Sequence, residues 1–428
     1  MNINTLSISL SVLIISSCAS VETQNYQEIK LAPTKINYDL IFEKYLEDDW
    51  EKTLSENPLF ATYTGDKRLN NKINSNSIEQ FIADKRSSEE SLRLLREIDS
   101  SKLSEENQLN YKLKEFGLLN SIGTQNFPTY YLRLNQRGGI QSFYETGNRL
   151  VYTNKQDYYD WLERLNQFVN NINNFLEINK EGLETGHTQP KLVTRGVISQ
   201  IESITSSDIE SNPYLKVFLE ADENILTTSE KADLISDAKK LIENKINPAY
   251  VELNNFLKNE YLPNSRNSIG IKDIPNGKDY YEFLAKFYTT TNLTPEEIHE
   301  IGLKEIKRIR SEMDEIIQKV NWDGDFNSFL NYLRTSPRFY YDNSEDLFNA
   351  YLIMSKTIDP LLPKIFKTFP RAPYGVIAIP DETAPFTTTA YYNSPSPGRP
   401  GYFYANLYKP ESRPKYEIPV LTVHEAVP

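Results

Sequence analysis

Glycine is scarce in this chain, and that limits the possible folds more than any motif does. Only 16 glycines are spread over 428 residues, against 28 tyrosines and 20 phenylalanines. Few positions can turn the backbone sharply, so long helices joined by sparse turns are expected. The apolar spacing agrees. Ile41, Tyr45, Leu46 and Trp50 predict a first helix after Tyr38. Asn57-Pro58 opens a short second helix through Phe60, which Gly65 ends. Leu92, Leu94, Leu95, Ile98, Leu103, Leu109, Leu113 and Leu118 predict further helices, and Asn135 to Gly139 reads as a loop.

The clearest amphipathic stretch is Tyr158 to Ile178, with Trp161, Leu162, Leu165, Phe168, Val169, Ile172 and Phe175 on one stripe. Gly182 and Gly186 mark its end, and Lys231 to Leu262 holds one or two more helices. The best helix signal runs from Asn292 to Val320. Thr294-Pro295-Glu296-Glu297 is a capping box with proline at the first helical position. Ile298, Ile301, Ile306, Ile309, Met313 and Ile316 continue that stripe. After Pro370 the pattern changes. Prolines 373, 380, 385, 395, 397, 400 and 410 interrupt β-like runs at Val376–Ile379, Thr387–Tyr392 and Tyr402–Ala405. These predict a small twisted sheet beside the helices. Helix should resume near Val420.

Ahead of the folded part, Leu6 to Ile15 is an apolar stretch ending in Ser16-Ser17-Cys18. It is too short for a stable bilayer span. It resembles a bacterial lipobox, in which the cysteine is lipidated and becomes the new N-terminus. Residues 1–18 are therefore read as a lipoprotein signal peptide, 19–35 as a flexible tether and 36–428 as one mostly helical domain. Met1 to Thr5 contains no Lys or Arg, a departure from the usual positive leader. Ala19, a neutral residue after the cysteine, points to an outer-membrane lipoprotein facing the periplasm. Cys18 is the only cysteine, which excludes an internal disulfide. The net charge of -12 excludes nucleic acid as a partner.

The chemistry-bearing residues are few. The chain has three histidines: His187 in an exposed-looking Gly-Thr loop, His299 read as a structural partner at the start of a helix, and His424 beside Glu425. A His-Glu pair on a helix can present a metal ligand and a general base, but the usual second histidine four residues on is replaced by Pro428. By itself the pair is a weak signal and reads first as a capped helix start. The run of tyrosines from Tyr391 to Tyr404 lines either a substrate groove or a packed sheet face.

Several separated stretches together resemble the bacterial domain of unknown function 885 family. They include Asn57 to Thr62 with Gly65, Leu162 to Leu165, and Leu293 to Gly302. Phe369 to Pro373, Ala390-Tyr391-Tyr392, Pro400 to Asn406 and Leu421 to Pro428 complete the set. The resemblance implies a mainly α, multi-helical, metallopeptidase-like (gluzincin-like) architecture with a small sheet near the C-terminus. In that family His-Glu-x-x-Pro is followed by Gly and two His, so Pro428 fits. The resemblance thus implies zinc as cofactor, His424 as one ligand, Glu425 as the catalytic base, and further ligands beyond residue 428. The chain is then expected to be an incomplete, inactive N-terminal part of a secreted or lipid-anchored zinc peptidase acting on peptides. By analogy with zinc peptidases, Tyr402–Leu407 is the candidate edge strand, with Tyr404 and Asn406 facing the substrate; the alternative for Asn406 is that it caps a turn. The competing expectation is a non-catalytic surface lipoprotein that binds peptides or glycans.

Overall fold

Helix starts in this molecule are set by short polar side chains. The computed structural model describes residues 36–379, 384–395 and 400–426, so Cys18 and Pro428 lie outside the described residues. Helix α1 (Tyr38–Glu56) begins where the Asn37 side chain accepts from the backbone N–H of Asp39 and Leu40. Its neighbours are α2 (Pro58–Tyr63), α3 (Ile78–Arg96) and α4 (Glu105–Thr124). These pack around Phe42, Leu92, Leu95, Ile98, Leu103, Tyr111 and Leu118. The expected stripe on α1 is half right: Tyr45 and Leu46 pack against this core. Phe42 is buried, whereas Ile41 and Trp50 are exposed, Trp50 resting edge-on against Phe60.

The second and largest core surrounds α6 (Lys155–Glu184), which follows the short α5 (Tyr144–Arg149). Trp161, Leu165, Phe168, Ile172 and Phe175 are buried as the periodicity requires. Helices α7 (Lys191–Thr205), α8 (Lys216–Leu219), α9 (Thr228–Leu241), α10 (Asn247–Phe256) and α11 (Leu262–Asn264) enclose it. α9 to α11 form one rod interrupted by π turns at 242–246 and 257–261. Each π turn comes just before a proline, Pro248 or Pro263, whose missing N–H breaks the regular ladder. Arg164, fully buried, staples α6 to the N-terminal segment. Its guanidinium donates to the Thr62 hydroxyl at 2.6 Å and to the carbonyls of Lys72 and Pro58 at 2.8 and 3.2 Å.

Beyond this body come α12 (Gly277–Thr289), α13 (Pro295–Lys319), α14 (Phe326–Thr335) and α15 (Ser344–Ile358). The α13 capping box forms as read: the Thr294 hydroxyl accepts from Glu297 N–H, and the Glu297 carboxylate accepts from Thr294 N–H. Its apolar stripe does not become core. Between residues 275 and 346 only Gly277 and Ile317 are buried.

The sheet contains β1 (Tyr374–Ala378), β2 (Ala390–Asn393) and β3 (Gly401–Ala405), close to the expected runs. Its order is β1-β3-β2, with β3 parallel to β1 and antiparallel to β2. One face, carrying Val376, Tyr392, Phe403 and Ala405, packs with Leu347 and Tyr351 of α15 and Ile418 and Ala426 of α16 (Ile418–Ala426). The mainly helical architecture with a small C-terminal sheet is therefore as expected from the sequence.

Candidate functional site

Helix α16 carries both chemistry-bearing residues singled out above. Ile418, Thr422 and Ala426 recur every four residues and face inward. The inward Thr422 is tolerated because its hydroxyl donates to the Ile418 carbonyl at 2.7 Å. His424 falls midway between Thr422 and Ala426 in sequence, which places it on the opposite side of the helix. It is exposed, next to the exposed Val420 and Val423. Glu425 lies on the flank and is half-buried. The histidine is thus available, but alone. Among the described residues, no group of three His, Cys, Asp or Glu side chains could hold a metal ion.

The candidate substrate strand departs from expectation. β3 is the central strand, hydrogen-bonded on both sides, so it has no free edge for a peptide backbone. The edges belong to β1 and β2. Residues alternate along β3, so Phe403 and Ala405 point toward α15 and α16 while Tyr402 and Tyr404 point to the other face. There Tyr404 stacks on its cross-strand partner Tyr391 at 4.7 Å between ring centroids. The structure does not bring Tyr404 onto the same face of the sheet as α16.

Asn406 lies just past the strand, where alternation no longer decides direction. It is 0% exposed. Its amide donates to the carbonyls of Ala384, Thr388 and Thr387 at 2.8, 3.0 and 3.3 Å, and its side-chain oxygen accepts from Tyr408 N–H at 3.0 Å. The whole polar end is consumed in holding the 384–389 segment against the end of β3. The reading of Asn406 as turned outward to a substrate is corrected to a buried loop clamp.

The other histidines also differ from expectation. His187 is buried, its ring tilted on Tyr131 at 5.2 Å and its Nδ1 3.0 Å from the Thr185 hydroxyl. Its exposed-looking sequence context misled because Tyr131 covers it from more than 50 residues away. Burial holds its pKa below the ordinary histidine value, against the opposing contact with Thr185. His299 is exposed on α13 instead of engaged at the cap. A hollow of about 540 Å³ between α6 and the α9 rod is lined by Leu162, Asn166, Asp237 and Lys245, none of them a residue read as functional.

The sequence of the folded part, ending in the His-Glu pair, matches a known family over residues 58–428. The chain belongs to DUF885, a family of bacterial proteins of unknown function. DUF885 membership covers every residue of the sheet, α16 and the clamp around Asn406. Among solved structures, the chain is similar to a candidate lipoprotein of Colwellia psychrerythraea. The TM-score is 0.80 at 23% identity, covering 92% of this chain and 72% of that one. It is also similar to a candidate lipoprotein of unknown function from Shewanella oneidensis, with a TM-score of 0.64 at 15% identity, covering 90% of this chain and 70% of that one. At these identities the likeness shows a shared fold. No curated protein sequence matches the chain.

Proposed function

We propose that this chain is the scaffold of a zinc-dependent peptidase, supplying one metal ligand, His424, and the proton-accepting carboxylate, Glu425. The observation that carries the reading is their placement on α16. The pair sits on a helix anchored to the sheet through Ile418, Thr422 and Ala426, with the imidazole turned to the unpacked side. A half-buried carboxylate next to an open histidine suits a group that takes a proton from attacking water. The described residues do not by themselves fit zinc. A catalytic zinc site takes three protein ligands, and here one histidine stands without companions. The 428 residues alone are therefore expected to hold no zinc tightly and to hydrolyse no peptide. The lipobox at Cys18 favours attachment to the cell envelope, with an outer-membrane anchor facing the periplasm.

Metal analysis and peptide hydrolysis test this, using protein from the gene read on past the codon for Pro428. About one zinc per chain is expected, absent in His424→Ala and retained in Glu425→Gln, with hydrolysis lost in both variants. Undiminished hydrolysis by Glu425→Gln would remove the carboxylate from the chemistry. A second reading, a non-catalytic lipoprotein that binds peptides or glycans, is favoured by the tyrosine face of the sheet, where Tyr391 and Tyr404 stack. Calorimetric binding of peptides or oligosaccharides to metal-free protein, weakened by Tyr404→Ala, would support it.

A further inference from the structure

Just past the end of α6 lies a buried base that the proposed chemistry does not use. The Thr185 hydroxyl donates to the Glu181 carbonyl at 2.9 Å, so toward His187 it can only accept. The 3.0 Å contact between Thr185 and the ring therefore fixes the proton of the neutral imidazole on Nδ1. Nε2 is left as a bare acceptor, buried and without a hydrogen-bond partner among the described residues. A proton arriving there creates a buried cation whose new N–H finds no acceptor.

The ring lies where two parts of the molecule meet. With Phe127, Leu132, Ile274, Pro275 and Tyr280 it lines a void of about 10 Å³. That is about the room of one water molecule, too little for the hydration shell of a cation. Ile274 and Pro275 lie on the short connection into α12, and Tyr280 is on α12 itself. Beside them α12 docks on α4, where the Phe283 ring rests on Gly123 and leaves no space for a Cβ. Two left-handed residues bracket α12, Asn276 and Thr290, both at φ 54°. For a β-branched threonine that conformation is costly and is held by its surroundings.

No counter-charge is available to the ring among the described residues. Tyr131 covers one side, its hydroxyl donating to Glu181 of α6. Tyr280 lies across the void. Arg266 donates to the neighbouring Thr188 carbonyl at 2.9 Å and faces Asp273, on the turn before α12. No carboxylate contributes to the titration of His187, so nothing offsets a positive charge there.

We propose that His187 is an acid-released latch: a proton taken up on Nε2 undocks α12 and the turn before it from the end of α6. Moving Ile274, Pro275 and Tyr280 away lets the cation reach water. The α12 side yields first, because only Gly277 of that helix is buried, whereas Tyr131 is tied into the body. The proposal does not depend on zinc or on hydrolysis.

Hydrogen exchange of the 428-residue chain tests it, with rates corrected for the intrinsic effect of pH. In the open state the ring takes its proton at the ordinary value of 6.5. Lowering the pH from about 8 to about 5.5 then favours opening by up to about tenfold. Exchange in α12 is expected to rise several-fold toward that limit, while α6 amides stay far slower at both pH values. His187→Gln, which cannot take up the proton, should show no rise. NMR of the wild-type chain carrying ring-labelled histidine needs no variant: the His187 ring should stay neutral for as long as α12 stays protected. Four results would overturn the latch: α12 exchange indifferent to pH, an equal rise in His187→Gln, α12 and α6 exchanging together at one rate, or a ring that protonates while α12 remains protected.

Discussion

At the scale of single residues, Asn406 shows how a side chain can be mistaken for a ligand contact. It follows two outward tyrosines at alternating positions, so a strand extended by one residue turns it outward as well. The strand stops at Ala405, and the amide is taken up by three carbonyls of the 384–388 segment. Asn406→Ala leaves those acceptors without a donor in a dry site and is expected to lower stability by about 2 kcal/mol or more. Asn406→Asp should do worse, since a carboxylate would face the same carbonyls. Urea unfolding of the two variants checks the order. His187 carries a second prediction. Its burial favours the neutral ring in the folded state, so the unfolded chain binds the proton more readily. Stability should be complete above the ordinary histidine value of 6.5 and fall as the pH drops below it. His187→Gln should flatten that dependence between about pH 7 and 5. A thermal melt series of both proteins across this range reads the effect, and parallel curves would dismiss it. Nothing in Gly186-His187-Thr188 reveals the burial, because Tyr131, which covers the ring, is distant in sequence.

At the scale of elements, periodicity and caps made most helices legible. The α6 stripe is legible because both of its sides are present: α6 meets α9 and α10 within the same chain, with Trp161 to Phe175 in one core. The three strands were legible because β-branched and aromatic runs are bounded by prolines. Their order was not, since an apolar alternating run looks the same at the centre of a sheet as at its edge. α13 divides the two kinds of knowledge. Its boundaries follow from Thr294, Pro295 and Glu297, but its stripe identifies a buried face without naming the partner. With that stripe exposed, α13 is held by its cap, by ion pairs along its surface, by the buried Ile317 and by Arg310 over the Phe326 ring of α14, a modest set of contacts. Thr294→Ala is therefore expected to cost about 1 kcal/mol locally. It should accelerate amide exchange in the first turns of α13 and leave the exchange of α6 untouched. Uniform slowing or acceleration across both helices would show that α13 is coupled to the core after all.

At the scale of the whole molecule, stability is distributed unevenly along the chain. Residues 42 to 261 bury large aromatic and aliphatic side chains in two cores, while the stretch from 275 to 346 buries only Gly277 and Ile317. Aromatic rings contribute to the junction between these parts: Phe127, just past α4, meets Tyr280 and Phe283 of α12 at 4.9 and 5.8 Å between ring centroids. Opening free energy follows buried apolar contact, so the purified 428-residue chain should lose its helical layer well before its body. Limited proteolysis is expected to cut first between residues 290 and 370 and to leave a resistant fragment ending near 275. Before any cleavage the chain should bind a hydrophobic dye, because the α13 stripe is open to solvent. Ile309→Glu should then reduce dye binding without lowering the melting temperature, since the residue contributes area to the surface and little to the core. Dye-silent protein with one sharp transition and no preferred cleavage region would mean that the stripe is already covered, and that this layer is as stable as the body it rests on.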